Sequence, residues 1–265
     1  MAQVAVSKRG ITLRIELFTV NDIPMIREGD DLAAIICNNT SLEDGDIVVI
    51  ASTIVAKAEG RIFSLENIVP GRRAIDIGHR CGRDPAFVQA VLDRSVECLV
   101  EAPFILVQLE SGQICVNAGI DDSNVEEGLF LDLPEDPDAS ARRIAADIKK
   151  MTGMRVSLVI TDTNGRAFRI GQTGIAIGIA NIEPVRDWIG ESDLFGNRLQ
   201  ITQEAVADEV ASAANLLMGE GSGGTPVVIM RGLNIHNTTG SIQQIYRIEE
   251  EDIIKKGLKC LQKDS

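Results

Sequence analysis

Three short apolar runs constrain this chain more than any other feature: IVVIA at residues 47–51, VSLVI at 156–160 and VVIM at 227–230. None carries a charge, and each is too short for a packed helix. Bounded by turn and loop residues, such runs read as strands buried on both faces. Each also meets a polar or glycine-rich segment. IVVIA ends at Ser52-Thr53, VSLVI runs into TDTNGR, and PVVIM emerges from GEGSGG.

Between these runs the period changes. EDPDASARRIAADIKKMTG reads as an amphipathic helix with Ile144, Ile148 and Met151 on one stripe and Gly153 as its stop. TQEAVADEVASAANLLM places Val206, Val210, Ala213 and Leu217 at helical spacing. IPMIREGDDLAAIICNN leads into a short helix. Asp84-Pro85 starts another, with Asp as cap, Pro at the first helical position, and Val88, Val91, Leu92 and Ser95 on one face. ITLRIELF alternates, with Ile11, Leu13, Ile15 and Leu17 against Thr12, Arg14 and Glu16, as a half-buried strand does. PFILVQLESGQICVNAGID reads as a hairpin turning at Ser111-Gly112, and EEEDIIKKGLKCL as a closing charged helix. The fold class expected is mixed α/β (α+β), with hairpins as well as crossovers. Residues 1–10 read as a flexible N-terminal arm and 11–265 as a single unit. A boundary between two lobes is placed at LPEDPD, near residue 135.

Composition narrows the function. A chain of 265 residues, 45% hydrophobic, can bury a sizeable core without staples. A net charge of −13 argues against an electrostatic grip on nucleic acid, and 3% aromatics offer little to stack bases on. Solubility accounts for most of the acidity, but any bound polyphosphate would need a divalent bridge. Cys37, Cys81, Cys98, Cys115 and Cys260 form no zinc-like spacing and read as reduced thiols. Two histidines, His79 and His236, make a His cage or a Ser-His-Asp triad improbable. The first ten residues lack a secretory signal, and no run of about 18 apolar residues exists. A cytoplasmic chain without a membrane span is the expectation.

The polar segments where strands and helices end carry the chemistry, since ligand loops gather there in α/β folds. NAGIDDSN offers Asp121, Asp122 and Asn124 as oxygen donors, although taken alone an Asx-rich turn that bonds its own backbone is the better reading. ITDTNGRAFR puts Asp162 and Thr163 directly after a buried strand, with Arg166 and Arg169 as possible substrate or phosphate contacts. The alternative there is an Asn-Gly turn with solvated arginines. LMGEGSGGT packs four glycines between helix and strand, and glycines let backbone N–H groups approach phosphate oxygens. Glu220 within it would repel a bare phosphate but suits a metal that phosphate also binds. No GK[ST] follows, so this is not a Walker A loop. In ASTIVAKAEG, Ser52, Thr53 and Lys57 follow a strand and could contact phosphates, although in isolation Lys57 reads as an ordinary surface lysine. Together these are the parts of a two-cation phosphoryl-transfer site.

At this point longer stretches become recognisable. VNAGIDDSNVEEG, ITDTNGRAFRIGQTGIAIG, DWIGESDLFG and ADEVASAANLLMGEGSGGTPVV resemble the coenzyme F-420-0:gamma-glutamyl ligase family. So do IPMIREGDDLA, ASTIVAKAEGR and AFVQAVL, in order from about Ile11 to the last helix. The resemblance implies a two-lobed fold in an intertwined homodimer. It implies a GTP-dependent ligase that adds L-glutamate to coenzyme F-420-0, first as an amide on the lactyl carboxylate and then through a gamma link. It also implies Mg²⁺ or Mn²⁺, with two divalent ions, and K⁺ as an aid. Carried over by motif, Asp121, Asp162, Thr163 and Glu220 are metal ligands. Ile23, Pro24, Met25, Ile26, Ser52, Thr53, Lys57 and Asn124 are nucleotide contacts, with the loop Met218, Gly219, Glu220, Gly221, Ser222, Gly223, Gly224 and Thr225. No side chain is singled out as acid, base or nucleophile. A metal-dependent phosphatase or kinase, or a non-catalytic GTP-binding regulator, fits the same parts.

Overall fold

The computed structural model describes residues 14–263, so the arm at 1–10 and the expected strand positions Ile11, Thr12 and Leu13 lie outside the described residues. In chain order, β1 (Glu16–Thr19) and α1 (Leu32–Asn39) lead to β2 (Ile47–Ala51) and α2 (Ser52–Ala58). Then come β3 (Ile62–Ser64), α3 (Arg72–Cys81), α4 (Pro85–Asp93), β4 (Glu97–Val100), β5 (Leu106–Gln108), β6 (Ile114–Val116) and β7 (Leu129–Leu131). Helix α5 (Pro137–Thr152) precedes the long hairpin of β8 (Ser157–Arg166) and β9 (Arg169–Ala180). The short strands β10 (Arg186–Asp187) and β11 (Gln203–Glu204), α6 (Val206–Met218), β12 (Val227–Arg231) and α7 (Ile253–Lys263) complete it.

The three apolar runs are neighbouring strands of one five-stranded sheet, ordered β1-β12-β2-β8-β9. Strands β2 and β8 are parallel, from Ile47 opposite Ser157 to Ala51 opposite Thr161, and the other pairs are antiparallel. Because side chains alternate along a strand, each run feeds two cores. Val48, Ile50, Leu158, Ile160 and Ile229 join Ile36 of α1 and Ile144 and Ile148 of α5 on one face. Ile47, Val49, Val159, Val228 and Met230 join Val210, Ala211 and Ala214 of α6 on the other. That is why the runs lack polar alternation. A third core lies off the sheet, where Ile77, Phe87, Val88 and Val91 of α3 and α4 meet Cys98 and Val107.

Helix caps account for several boundaries. Asp31, Asp84 and Asp136 each accept a backbone N–H at the start of α1, α4 and α5, and Gly153 ends α5 in a left-handed turn. The expected hairpin is β5–β6.

Several sequence expectations need correction: Ser95 lies beyond the end of α4, and Ile15, just before β1, is exposed. Met151 is 52% exposed, because it sits in the last turn of α5, past the packed residues. The inward face of α6 steps by four from Val206 through Val210 and Ala214 to Met218, leaving Leu217 outside and Ala213 half-buried. The Asn-Gly pair does not turn: β8 runs through it to Arg166, opposite Arg169, and the chain reverses at Ala167-Phe168, with Phe168 at φ 65°.

Candidate active site

The parallel pairing of β2 with β8 ends at Ala51 opposite Thr161, and ligand clefts form beyond the carboxyl ends of such pairs. Helix α2 starts at once after β2, so Ser52 stands beside Asp162 and its hydroxyl donates to Asp162 Oδ1 at 3.3 Å. Along β8, burial gives way at this point: residues 157–161 are buried, 162–164 half-buried and 165–166 exposed. The β8–β9 register shifts here: Ile160 lies opposite Gly178 and Thr161 opposite Ala176, so the extra residue, Ile177, is on β9.

The second carboxylate comes from the segment after β6. Asp121 is fixed by backbone hydrogen bonds with Leu131 of β7 at 2.8 and 3.1 Å. Its side chain accepts the Ser123 N–H at 2.9 Å and the Ser123 hydroxyl. The Asx turn is thus real, and it holds Asp121 at the cavity rather than competing with that role. Asn124, at φ 54°, turns its carbonyl to the ammonium of buried Lys57.

The third carboxylate lies beyond α6. Gly219 leaves the helix at φ 67°, and Glu220 follows it. Glu220 Oε1 accepts the Asn215 amide at 2.9 Å, and its Oε2 lies 3.4 Å from the Thr163 hydroxyl. Thr225 returns the loop by donating to the carbonyls of Leu217 and Met218 at 3.3 and 3.2 Å.

These parts line one cavity of about 250 Å³. Its wall includes Ile23 to Ile26, Ser52, Thr53, Lys57, Asp121, Asn124, Asp162 and Thr163. Met218 to Gly221, Gly224 and Thr225 close it. Ser222 and Gly223 fall outside this lining. So do Arg166 and Arg169, which are exposed at the far end of the β8–β9 hairpin, where Arg166 donates to the Gly171 carbonyl at 3.2 Å. Sequence reading missed Ser123 and Asn215, both in the wall. Ser123 was legible as the second residue after Asp121, the Asx-turn position; Asn215 needed the packing of α6. A larger cleft of about 860 Å³ opens between α1, α2 and α5, but it holds none of these residues, and its Glu59 is tied to Ser140 and Arg143.

The electrostatics favour a cation. Burial, with the neighbouring charges of Asp121 and Glu220, pushes the Asp162 carboxyl up to about 6 against the opposing Thr163 N–H and Ser52 hydroxyl. Burial lowers the Lys57 ammonium, and Asp121 opposes that shift. Cys115, also affected by Asp162, is pushed up to about 12 by burial, so its thiol is inert. No Lys or Arg forms an ion pair with Asp121, Asp162 or Glu220 among the described residues. Hard divalent cations take such oxygen donors. Among the described residues no three His, Cys, Asp or Glu side chains gather round one point. The described residues thus form no closed protein cage, and the oxygen atoms of Asp121, Asp162, Thr163 and Glu220 lie in the wall and could contribute to holding a hard cation.

The family model for F420-0:Gamma-glutamyl ligase matches residues 21–232, and the chain belongs to that family. The chain is 58% identical over 250 residues to the coenzyme F420:L-glutamate ligase of Methanosarcina mazei, covering 94% of this chain and 98% of that protein. It is 53% identical over 250 residues to the enzyme of that name from Archaeoglobus fulgidus, covering 94% and 100%. To the one from Methanothermobacter thermautotrophicus it is 44% identical over 249 residues, covering 91% and 99%.

Proposed function

We propose that this chain joins L-glutamate to coenzyme F420-0 in F420 biosynthesis, at the expense of GTP, through an acyl phosphate. One observation carries the reading: three carboxylates that form no ion pair among the described residues meet a glycine loop and a buried lysine in one cavity where the parallel pairing of β2 and β8 ends. A carboxylate does not take up an amine in water unless it is activated. Transfer of a γ-phosphoryl group to it leaves an acyl phosphate, which the glutamate amine then attacks with loss of phosphate. Such transfer depends on positioning and charge neutralisation rather than on a protein nucleophile, in keeping with a cavity whose wall includes no His or Cys.

In this reading Asp121, Asp162, Thr163 and Glu220 hold Mg²⁺ or Mn²⁺, two ions with K⁺ as an aid. The divalent ions supply the positive charge that lets two anions approach. Ser52 orients Asp162 and Ser123 orients Asp121. The open backbone around Gly219, Gly221 and Gly224 lies against the phosphates, Ile23 to Ile26 and Thr53 against the rest of the nucleotide, and Lys57 against phosphate oxygens. The reading includes a cytoplasmic, two-lobed chain that pairs into a homodimer. Phe168 and Ile170 on the β8–β9 hairpin, with Leu194 and Phe195 beyond it, are 90% or more exposed and suit a partner surface. No described helix is long and apolar enough to cross a membrane.

Oxygen labelling tests the chemistry. With both carboxylate oxygens of the acceptor labelled, one label is expected in inorganic phosphate and one in the amide. Phosphate whose one added oxygen comes from solvent and none from the acceptor would mean a GTP phosphatase. Phosphorylated acceptor without free phosphate would mean a kinase, and no turnover at all a regulator.

A further inference from the structure

We infer that Asn215 is a positioning residue for Glu220, and that the bare backbone of Gly174 lets it act; the inference rests on the metal-ligand reading of Glu220 given above.

Glu220 sits in an exposed glycine-rich loop, where a free glutamate would sample many rotamers. Asn215 removes that freedom. Its Nδ2 donates to Glu220 Oε1 at 2.9 Å. The amide nitrogen must be the atom facing a carboxylate, which only accepts. With Oε1 occupied, Oε2 is turned to the Thr163 hydroxyl, 3.4 Å away, on the strand that carries Asp162. The backbone of Asn215 adds a second restraint, because its carbonyl accepts the Gly219 N–H at 2.9 Å and sets where the loop departs.

Asn215 is itself held at a fixed depth. In the β8–β9 register Gly174 lies directly opposite Thr163. A Cβ at Gly174 would come within 2.9 Å of the Asn215 Cβ and 2.7 Å of the Ala211 carbonyl oxygen, so any side chain there would push α6 outward. The Ser212 hydroxyl fastens the contact by donating to the Gly174 carbonyl at 2.7 Å. Thr163, Gly174, Asn215 and Glu220 thus form a closed ring of contacts whose open side is the cavity. A neutral amide suits this place: a lysine or arginine would hold Glu220 equally well but cancel its charge.

The test is a double-mutant cycle read by direct binding of Mn²⁺ to the metal-free protein, followed by the electron paramagnetic resonance of free Mn²⁺, without nucleotide or acceptor. Asn215→Ala is expected to weaken Mn²⁺ binding ~10-fold, the lower end for residues that support a metal ligand. Glu220→Gln is expected to weaken it at least as much. The double variant should bind no worse than Glu220→Gln alone, since Asn215 acts only through that carboxylate. If Asn215→Ala does not fold at the assay temperature, Asn215→Ser, with a hydroxyl too short to reach Glu220, takes its place in the same cycle. Wild-type affinity in the Asn215 variant, with Glu220→Gln weakened, overturns this inference alone. Additive losses in the double variant also overturn it. Unchanged affinity in Glu220→Gln overturns the metal-ligand reading of Glu220 and this inference with it.

Discussion

Asp46 and Asp162 stand at opposite ends of the same parallel pairing, Asp46 just before β2 and Asp162 just past Thr161, the last β8 residue paired with β2. Asp46 is 1% exposed and receives two hydrogen bonds from the Arg231 guanidinium, both at 2.7 Å, plus the Glu43 N–H at 2.8 Å. Asp162 receives the Ser52 hydroxyl, and its nearby charges are Asp121 and Glu220. One carboxylate is neutralised within the fold, and the other keeps its charge for something the chain does not contain. The same contrast recurs at Glu101. Burial there would raise the carboxyl, but Arg80 and Arg73 outweigh it and hold it below the ordinary value. Whether a buried carboxylate is met by arginine or by a neutral donor separates architecture from site in this molecule.

The sharpest way to break the comparison is to neutralise one carboxylate at each end. Asp46→Asn leaves Arg231 without its two-point partner but still near Glu43 and water. Removing one member of a buried pair is strongly destabilising, and with that relief the loss should be about 3 kcal/mol. The midpoint of urea denaturation should fall while turnover per folded molecule is kept. A loss of turnover without a loss of stability would erase the distinction. Asp162→Asn should do the reverse. Turnover should fall at least ~100-fold, with Mn²⁺ affinity falling alongside, because removing a ligand costs no less than removing its support. Near-normal turnover at low Mn²⁺ would remove Asp162 from the metal site.

A smaller effect is expected in the glycine loop. Gly221 has nothing within 4 Å of the place a Cβ would occupy, and its backbone is not left-handed, so Gly221→Val should fold. A branched side chain there should obstruct phosphate and weaken GTP binding ~10-fold, about 1.4 kcal/mol. Calorimetric titration with GTP checks this. Unchanged affinity would make the loop a connection and nothing more.

The three central strands of the sheet were legible because they are buried on both faces in IVVIA, VSLVI and VVIM, whereas their order and pairing were not. The capped helix start at Asp84 was legible for a similarly local reason, Asp as cap with Pro at the first helical position. The β8–β9 hairpin was not, since Asn164-Gly165 carries a strong turn signal that pairing with Thr173 and Arg169 overrides. Most site residues named by motif line one cavity, whereas Arg166 and Arg169 do not: chemistry suggested phosphate contacts, but strand length carries them past the cavity. Asn215 was hidden because its role depends on a missing side chain at Gly174, forty-one residues away, and a helix pattern cannot report how closely that helix meets a sheet.

The last test concerns pH, and it asks whether Asp162 is a charge the apo fold tolerates rather than uses. Its carboxyl lies at about 6 in the folded chain against an ordinary 3.8, with burial as the main cause. A raised carboxyl binds its proton more tightly in the folded state than in the unfolded one. Its contribution to stability is therefore fully present below about pH 4 and is lost as pH rises through about 6. Asp162→Asn lacks that titration. Metal-free wild type and variant should be similar in stability near pH 4, and by pH 7.5 the variant should be the more stable, by on the order of 2 kcal/mol. Asp208 and Glu209, whose carboxyls burial also raises, are present in both proteins and drop out of the difference. Denaturation midpoints across this range, without metal, measure it. Curves that stay parallel would mean that Asp162 meets a counter-charge in solution, and the contrast with Asp46 would collapse. Saturating Mn²⁺ should then reverse the ranking at pH 7.5, because an ion that binds only the folded state stabilises the protein that still has the carboxylate to hold it.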